Sequence, residues 1–350
     1  MPVRENQIAA CGMIFGGQGL DESVLPLALV ASVDLAIGKP GMFTLEMQGY
    51  DEHQGLGWME DNAFALGTTV EIKMGYQNSL ESLFFGEVMG IDLSLPSSQP
   101  PHMTVRAFDL SHRMTRGEKR RTFTKLKSSD IARKIAGEVG LTPSVTESSD
   151  LREYVEQKGE SDMAFLLRLA EEINYNLFVI RKELFFQPAL RDASPRLKLA
   201  QDDDTLIDFQ AHLSLARQVS EVVVQGWDVA KQAAITGRAS AGDETSTMGG
   251  KRSASKLVKD QAINLISEHP VMTQEEANHL ALARLNKVSL DLIEASGTAV
   301  GSAALLPGEI IEIAGVSASF KGRYCLTGTT HRFDFESGYT TNFSARRNSI

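Results

Sequence analysis

Apolar and polar residues alternate with a period of two near both ends of the chain, whereas the middle third has helical spacing. In the N-terminal part, Thr68–Tyr76 places Val70, Ile72 and Met74 on one face, a pattern typical of a half-buried strand. Further strands are predicted beside it, and together they favour an antiparallel barrel or sandwich: Phe43–Met47, Leu83–Leu95 and Met103–Leu110.

The C-terminal part shows the same alternation. The sequence Glu336-Ser337-Gly338 predicts a hairpin turn between two alternating runs, Arg323–Phe335 and Tyr339–Phe343. Strands are also predicted at Val219–Trp227 and Glu309–Ile313. We therefore expect a mainly β chain in the order barrel, insertion, barrel.

The middle of the chain predicts a small α+β insertion. Apolar residues three and four apart predict helices over Ser129–Val139 and over Asp162–Ile173, with Ser161 as the N-cap of the second. Two short strands, Asn176–Arg181 and Glu183–Pro188, predict a hairpin around Arg181-Lys182.

Two segments of the C-terminal third differ from the strands around them. Residues 237–256 are rich in Gly, Ala, Ser and Thr and poor in apolar residues, so a mobile excursion is expected there. Thr273 and Glu276 form a capping-box pattern that opens a predicted helix over residues 274–288.

The window Arg113–Lys134 is strongly basic, with nine Lys or Arg residues. The favoured interpretation is a solvated loop that leads into a helix. No aromatic residues interleave with the charges in the way that base stacking requires, which disfavours nucleic-acid binding.

Composition excludes several other classes of protein. The formal net charge of −10 argues against a general nucleic-acid binder. The apolar run around Val24–Val33 is too short to span a membrane, and no basic stretch opens the chain as a Sec-type leader would. Two cysteines far apart, Cys11 and Cys325, exclude a disulfide framework or a cysteine zinc site.

The usual catalytic motifs are missing from the sequence. Phe15–Gly19 is glycine-rich but lacks the Lys-Ser/Thr of a phosphate loop, and the more probable interpretation is a flexible turn. No HExxH or GxSxG occurs, and the seven histidines show no metal-ligand spacing: His53, His102, His112, His212, His269, His279 and His331. Glu171-Glu172 and Asp202–Asp204 could pair for glycoside hydrolysis, but a wet surface is the favoured interpretation.

Four segments together resemble the phage late control gene D protein family. Members of this family are central hubs of contractile tails, and they are related to the N-terminal part of the valine-glycine repeat (VgrG) spike proteins of type VI secretion. The matching segments are Gly67–Tyr76 with Leu83–Asp92 and Thr104–Arg113, then Glu153–Gln187, Val222–Asp228, and Gly322–Phe343 with His331 and Gly338.

The resemblance implies a fold and a division into domains. Two tandem tube-like antiparallel β-barrel domains would flank a small α+β domain. The expected boundaries are 1–120 for the first barrel, 121–200 for the insertion and 201–350 for the second barrel. No catalytic, cofactor-binding or metal-ligating residue is implied, and no cofactor.

The implied function is that of a structural baseplate hub. As a homotrimer, it would present six similar barrels to a hexameric inner tube protein and join that tube to a trimeric spike, alongside other baseplate proteins. The sequence ends at Ile350 without a neck or needle repeats, so a separate spike protein is expected. The chain would be assembled in the bacterial cytoplasm as a component of a virion or of an extracellular or secreted contractile particle.

Two other functions stay open at this point. A peptidoglycan-degrading, lysozyme-like tail protein would need Glu171, Glu172 or Asp202–Asp204 to act. A non-catalytic glycan-binding module could reside in the insertion. The sequence also leaves open whether the machine is a phage tail, a tailocin, an extracellular particle or a type VI system.

Overall fold

The structure is a computed structural model that describes residues 8–21, 24–48, 62–98, 100–228, 231–267, 271 and 273–350. Within these residues, the chain forms one 13-stranded sheet, three smaller sheets and four α-helices. The large sheet is antiparallel except for one short parallel pair. This architecture confirms the prediction of a mainly β chain with smaller α+β parts.

The N-terminal strands confirm the alternation seen in the sequence. Val70, Ile72 and Met74 are fully buried on one face of their strand. The strands are β1 (Ala9–Phe15), β2 (Gln18–Gly19), β3 (Ala28–Ala36), β4 (Met42–Gln48), β5 (Thr69–Tyr76), β6 (Ser79–Ser94) and β7 (His102–Asp109).

The middle of the chain folds around its own apolar core and confirms both predicted helices. The Ser161 hydroxyl accepts a hydrogen bond from the Ala164 amide at 3.2 Å and so caps the second long helix. The elements are α1 (His112–Thr115), β8 (Lys119–Lys127), α2 (Ser128–Glu138), β9 (Thr142–Val145), β10 (Leu151–Glu160), α3 (Asp162–Glu172), β11 (Tyr175–Ile180) and β12 (Glu183–Pro188).

A small unit interrupts the C-terminal strands of the large sheet. Its three-stranded sheet is covered by a helix that begins after Thr273, whose hydroxyl accepts from the Glu276 amide at 3.1 Å. The elements are β13 (Leu197–Ala200), β14 (Leu206–Leu213), β15 (Glu221–Asp228), β16 (Ala233–Ser240), β17 (Ile263–Ile266), α4 (Gln274–Ser289), β18 (Ile293–Val300), β19 (Ile310–Ala314), β20 (Gly322–Asp334) and β21 (Gly338–Arg347).

The large sheet joins the two ends of the chain through one strand pair, β20 with β3. In this seam, Gly328–Asp334 lies antiparallel to Val30–Ala36. Phe333 and Tyr339 from the C-terminal side pack into the same apolar core as the N-terminal strands. The N-terminal and C-terminal β-rich parts are therefore one continuous structure.

The strand order is the same on both sides of this seam. Read in one direction across the sheet, one half is β14-β18-β21-β20 and the other is β3-β4-β7-β6, with every neighbouring pair antiparallel. In each half, these four strands lie across the sheet as the first, second, fourth and third in chain order. The third and fourth strands form a hairpin in both halves, and the first two are joined through the inserted unit in one half and directly in the other. The two halves share one four-strand topology.

The expectation of two closed barrels is corrected by this arrangement. Among the described residues, no sheet closes on itself, because the path of the large sheet runs openly from β14 to β2. A strand edge with unpaired backbone groups is a template for pairing with another strand. Here β3 and β20 satisfy theirs by pairing with each other, which merges the two predicted barrels into one sheet.

The basic window is also different from the solvated loop that its charge predicted. Lys119–Lys127 is strand β8, paired with β10. Its cations are matched by acidic side chains from later elements. Asp162, whose side chain is only 3% exposed, receives Lys119 at 2.6 Å and Arg121 at 2.8 Å, and Arg121 also contacts Glu138 at 2.7 Å.

Residues 237–256 form a packed segment and not an open excursion. Residues 237–240 belong to β16, and the remainder is fastened to the C-terminus. The amides of Lys251 and Arg252 donate to the Ile350 carbonyl at 2.9 and 3.0 Å, and Ser253 pairs with Ser349. Polar residues pack here because partners distant in sequence satisfy their hydrogen bonds.

The contact between β16 and α4 depends on the missing side chain of Gly237. A Cβ at this position would lie 2.3 Å from the backbone of Ala277. We expect Gly237→Ala to push α4 off the sheet and lower the free energy of unfolding by about 1–3 kcal/mol, measured by denaturant titration. Gly19→Ala is the control because its Cβ would meet no atom within 4 Å. Equal stability of the two variants would contradict this packing.

Candidate assembly surface

The structure does not bring together the two carboxylate groups that were considered for glycoside hydrolysis, Glu171-Glu172 and Asp202–Asp204. Glu172 at the end of α3 is held by Arg152 at 2.6 Å, and Glu171 pairs with Lys287. Asp202–Asp204 lie in an exposed turn between β13 and β14. Among the described residues that line the cavity beside Glu171 and Glu172, none is from Asp202–Asp204.

The other polar candidates are also dispersed. Phe15–Gly19 is the turn of the β1–β2 hairpin and not a phosphate loop. In the part of the chain that the structure describes, no three His, Cys, Asp or Glu residues are grouped so as to hold a metal ion. His53 and His269 lie outside the described residues; the remaining histidines are on separate elements, His102 on β7, His112 on α1, His212 on β14, His279 on α4 and His331 on β20.

The cysteines offer no nucleophile. Cys11 and Cys325 are both free. Burial raises the pKa of the Cys11 thiol to about 12 and that of the Cys325 thiol to about 11. Since the thiolate is the reactive form, both side chains are held unreactive near neutral pH.

One buried histidine, His331, fixes the seam between the two halves. Its Nδ1 accepts from the Tyr339 hydroxyl at 2.7 Å, and its Nε2 donates to the Leu305 carbonyl at 2.9 Å. Burial lowers the pKa of His331 to about 4. The Tyr76 hydroxyl, from the N-terminal half, donates to the Gly301 carbonyl at 3.0 Å and anchors the same loop. His331 is thus a neutral, hydrogen-bonded structural group.

The two outermost strands of the matching halves have free edges. β14 pairs with β18, and within the described ranges no strand covers its other side. β5 pairs with β6 only as far as Glu87, so among the described residues the rest of β6 also pairs on one side only. We call these two segments, Leu206–Leu213 and Gly90–Ser94, the free edges.

Large apolar side chains are exposed at both free edges. Ile207 is 53% exposed on β14, and Leu93 is 54% exposed on β6, with Leu213 and Ile91 also exposed. A long strand edge with exposed apolar residues is a template for pairing with another chain. The sequence showed the β6 strand but not its unpaired end, because alternation predicts a strand and gives no information about its neighbours.

The face of the large sheet opposite the core is polar across the seam. Thr330 donates to Asp34 at 2.6 Å between β20 and β3, and Thr298 donates to Asn342 at 2.9 Å between β18 and β21. This face contains a concavity of about 840 Å³ that reaches from Met42 to Asp208. Among the described residues, every helix is too short or too polar to cross a bilayer.

Comparisons with known proteins give the fold a context. The family model described as the Alg8 N-terminal domain matches residues 40–334. No curated protein sequence matches the chain.

Solved structures of tail proteins share the fold. The 43 kDa tail protein of prophage MuSo2 from Shewanella oneidensis has a TM-score of 0.74 at 13% identity, over 97% of this chain and 98% of that chain. The E. coli c3393 protein, a type VI secretion component described as structurally similar to the T4 bacteriophage tail proteins gp27 and gp5, has a TM-score of 0.59 at 14% identity, over 92% and 74%. A chain of the half-lidded Francisella PdpA-VgrG complex has a TM-score of 0.53 at 8% identity, over 100% and 60%.

The buried His331 predicts a pH dependence of stability. Its folded pKa of about 4 lies below the ordinary histidine pKa of 6.5, so between these values the unfolded state binds a proton that the folded state does not. Stability is therefore lost as the pH falls from about 6.5 to about 4, by roughly 3 kcal/mol from this group. In His331→Gln, whose amide does not titrate and can keep the hydrogen bond to the Leu305 carbonyl, we expect this loss to disappear in urea titrations.

Comparing the pH dependence of stability in His331→Gln and in the wild type separates the effect of His331 from that of a second buried titratable group, Asp109. Asp109 accepts from the amides of Gly41 and Ser111 at 2.6 and 2.8 Å, yet burial raises its pKa to about 6. Its effect has the opposite sign, since the fold gains stability as Asp109 takes up its proton below about pH 6. Asp109 is the same in both proteins, so an unchanged pH slope in His331→Gln would contradict the assignment.

Proposed function

Since this chain belongs to the Alg8 N-terminal domain family and has the fold of phage and type VI tail proteins, we propose that it is a non-enzymatic central hub of a contractile injection system. It assembles as a homotrimer that joins a hexameric inner tube to a trimeric spike. The observation that carries this proposal is the repeated four-strand topology on the two sides of the β20–β3 seam.

The repeated topology supports a change of symmetry from three to six. Each chain contributes two halves with the same strand order. Three chains about one axis therefore present six similar units, which is the number that a hexameric tube ring offers for contact. Closed rings are built from heterologous contacts, in which two different surfaces of each copy meet. The free edges of β6 and β14 are two such surfaces.

The strand directions allow these edges to pair between copies. The path from β14 to β6 contains eight strands, and each is antiparallel to its neighbour. With an even number of alternating strands, β6 of one copy and β14 of the next are also antiparallel when the copies repeat around a ring. Pairing would cover the exposed Leu93 and Leu213 and satisfy the open backbone groups.

The proposed ring also assigns a place to each domain, to the polar face of the sheet and to the spike. Residues 1–120 and 201–350 form the tube-like parts, and residues 121–200 form the inserted domain. The polar face of the sheet borders the central channel of the ring. The three-fold end away from the tube accepts a separate trimeric spike, as part of a baseplate assembled in the bacterial cytoplasm for a virion or secreted particle. The likeness to a chain of the PdpA-VgrG complex supports the spike partner.

The oligomeric state tests this proposal. Multi-angle light scattering of the full chain is expected to give a trimer. Leu93→Lys combined with Leu213→Lys is expected to give a folded monomer, because lysines on strand edges block pairing.

Leu151→Lys is the matched control, since Leu151 is 62% exposed but lies on β10, which pairs with β8 in a separate two-stranded sheet. A trimer that survives the double substitution would contradict the edge contacts. A monomeric wild-type protein would contradict the hub assignment itself.

A further inference from the structure

We infer that the cleft between α3 and α4 is a binding site for a small oxyanion, a phosphate or a carboxylate, with Arg284 as its principal ligand. This inference is independent of the assembly role, because none of the residues that line the cleft belongs to either free edge.

The cleft is large enough for a small molecule and has walls from separate units. Its volume is about 340 Å³, within the range of pockets that bind small ligands. Arg168, Glu171 and Glu172 of α3 line one side, and Arg284 and Lys287 of α4 line the other. Apolar lining comes from Ile266 on β17 and Leu280 on α4.

The guanidinium group of Arg284 has a donor without an acceptor. Its Nε is buried from solvent and makes no hydrogen bond. Among the described residues, no carboxylate forms an ion pair with Arg284. A buried donor on a charged group is costly when it is left unpaired, and such an atom in a folded protein indicates a missing water, ion or ligand.

The other charges of the cleft already have partners. Lys287 pairs with Glu171 across the two helices. Glu172 is held by Arg152 at 2.6 Å, and Arg168 contacts Glu160 at 2.6 Å. The acidic residues of the cleft are thus neutralised within the protein. Arg284 is the residue of the cleft whose positive charge a bound anion would balance.

The chemistry of arginine selects the class of ligand. Its planar group presents donors in a fixed fork that matches the paired oxygens of carboxylate or phosphate. The cleft volume limits the ligand to a small oxyanion or to the terminal group of a larger molecule.

Equilibrium dialysis with radiolabelled inorganic phosphate and with radiolabelled succinate tests the inference. Both are measured at constant ionic strength, set with sodium chloride. We expect saturable binding of at least one probe, at one site per chain. Arg284→Met keeps the length of the apolar stem, and it should weaken binding by roughly tenfold or more, as the loss of a charged hydrogen-bonding group does.

The control variant is Arg120→Met, whose side chain is 83% exposed on β8, and it should bind like the wild type. Preferential binding of phosphate or of succinate supports the site and shows whether its ligand is a phosphate or a carboxylate. Absence of binding by both probes would overturn the inference, and so would equal binding by Arg284→Met and the wild type. Thermal melting without either probe confirms that the variants are folded.

Discussion

The backbone pairing between β20 and β3 is the contact on which the rest of the molecule depends. It joins strands about three hundred residues apart in sequence, Gly328–Asp334 and Val30–Ala36. It also uses the inner edge of each half, so that among the described residues the outer edges, β14 and the end of β6, are the ones without a partner strand. The buried His331, hydrogen-bonded to Tyr339 and Leu305, holds the C-terminal side of this pairing in place.

Local sequence patterns predicted the elements whose two faces differ most in polarity. Thr69–Tyr76 and Gly338–Arg347 alternate clearly because one face is buried and the other is polar. The helices α3 and α4 were also predictable, since Ser161 and Thr273 cap them as their sequence positions indicated. In each case the determining interactions lie within the element or next to it.

Contacts between distant residues account for what the sequence did not show. β3 has partners on both sides and half-buried residues on both faces, so it resembled a plain apolar run. The basic strand β8 resembled a loop because its main partner, Asp162, comes some forty residues later. Arg284 gave no signal at all, because its significance depends on a cleft that exists only once α3 and α4 meet.

The central claim is that two matching halves, repeated three times, imitate a ring of six. Electron cryomicroscopy of the purified full chain, viewed end-on, tests it most directly. The account predicts a closed three-fold ring of six similar lobes around an open channel, with strand density continuous from β6 of one copy to β14 of the next. A ring of another order, or copies that meet through other surfaces, would contradict it.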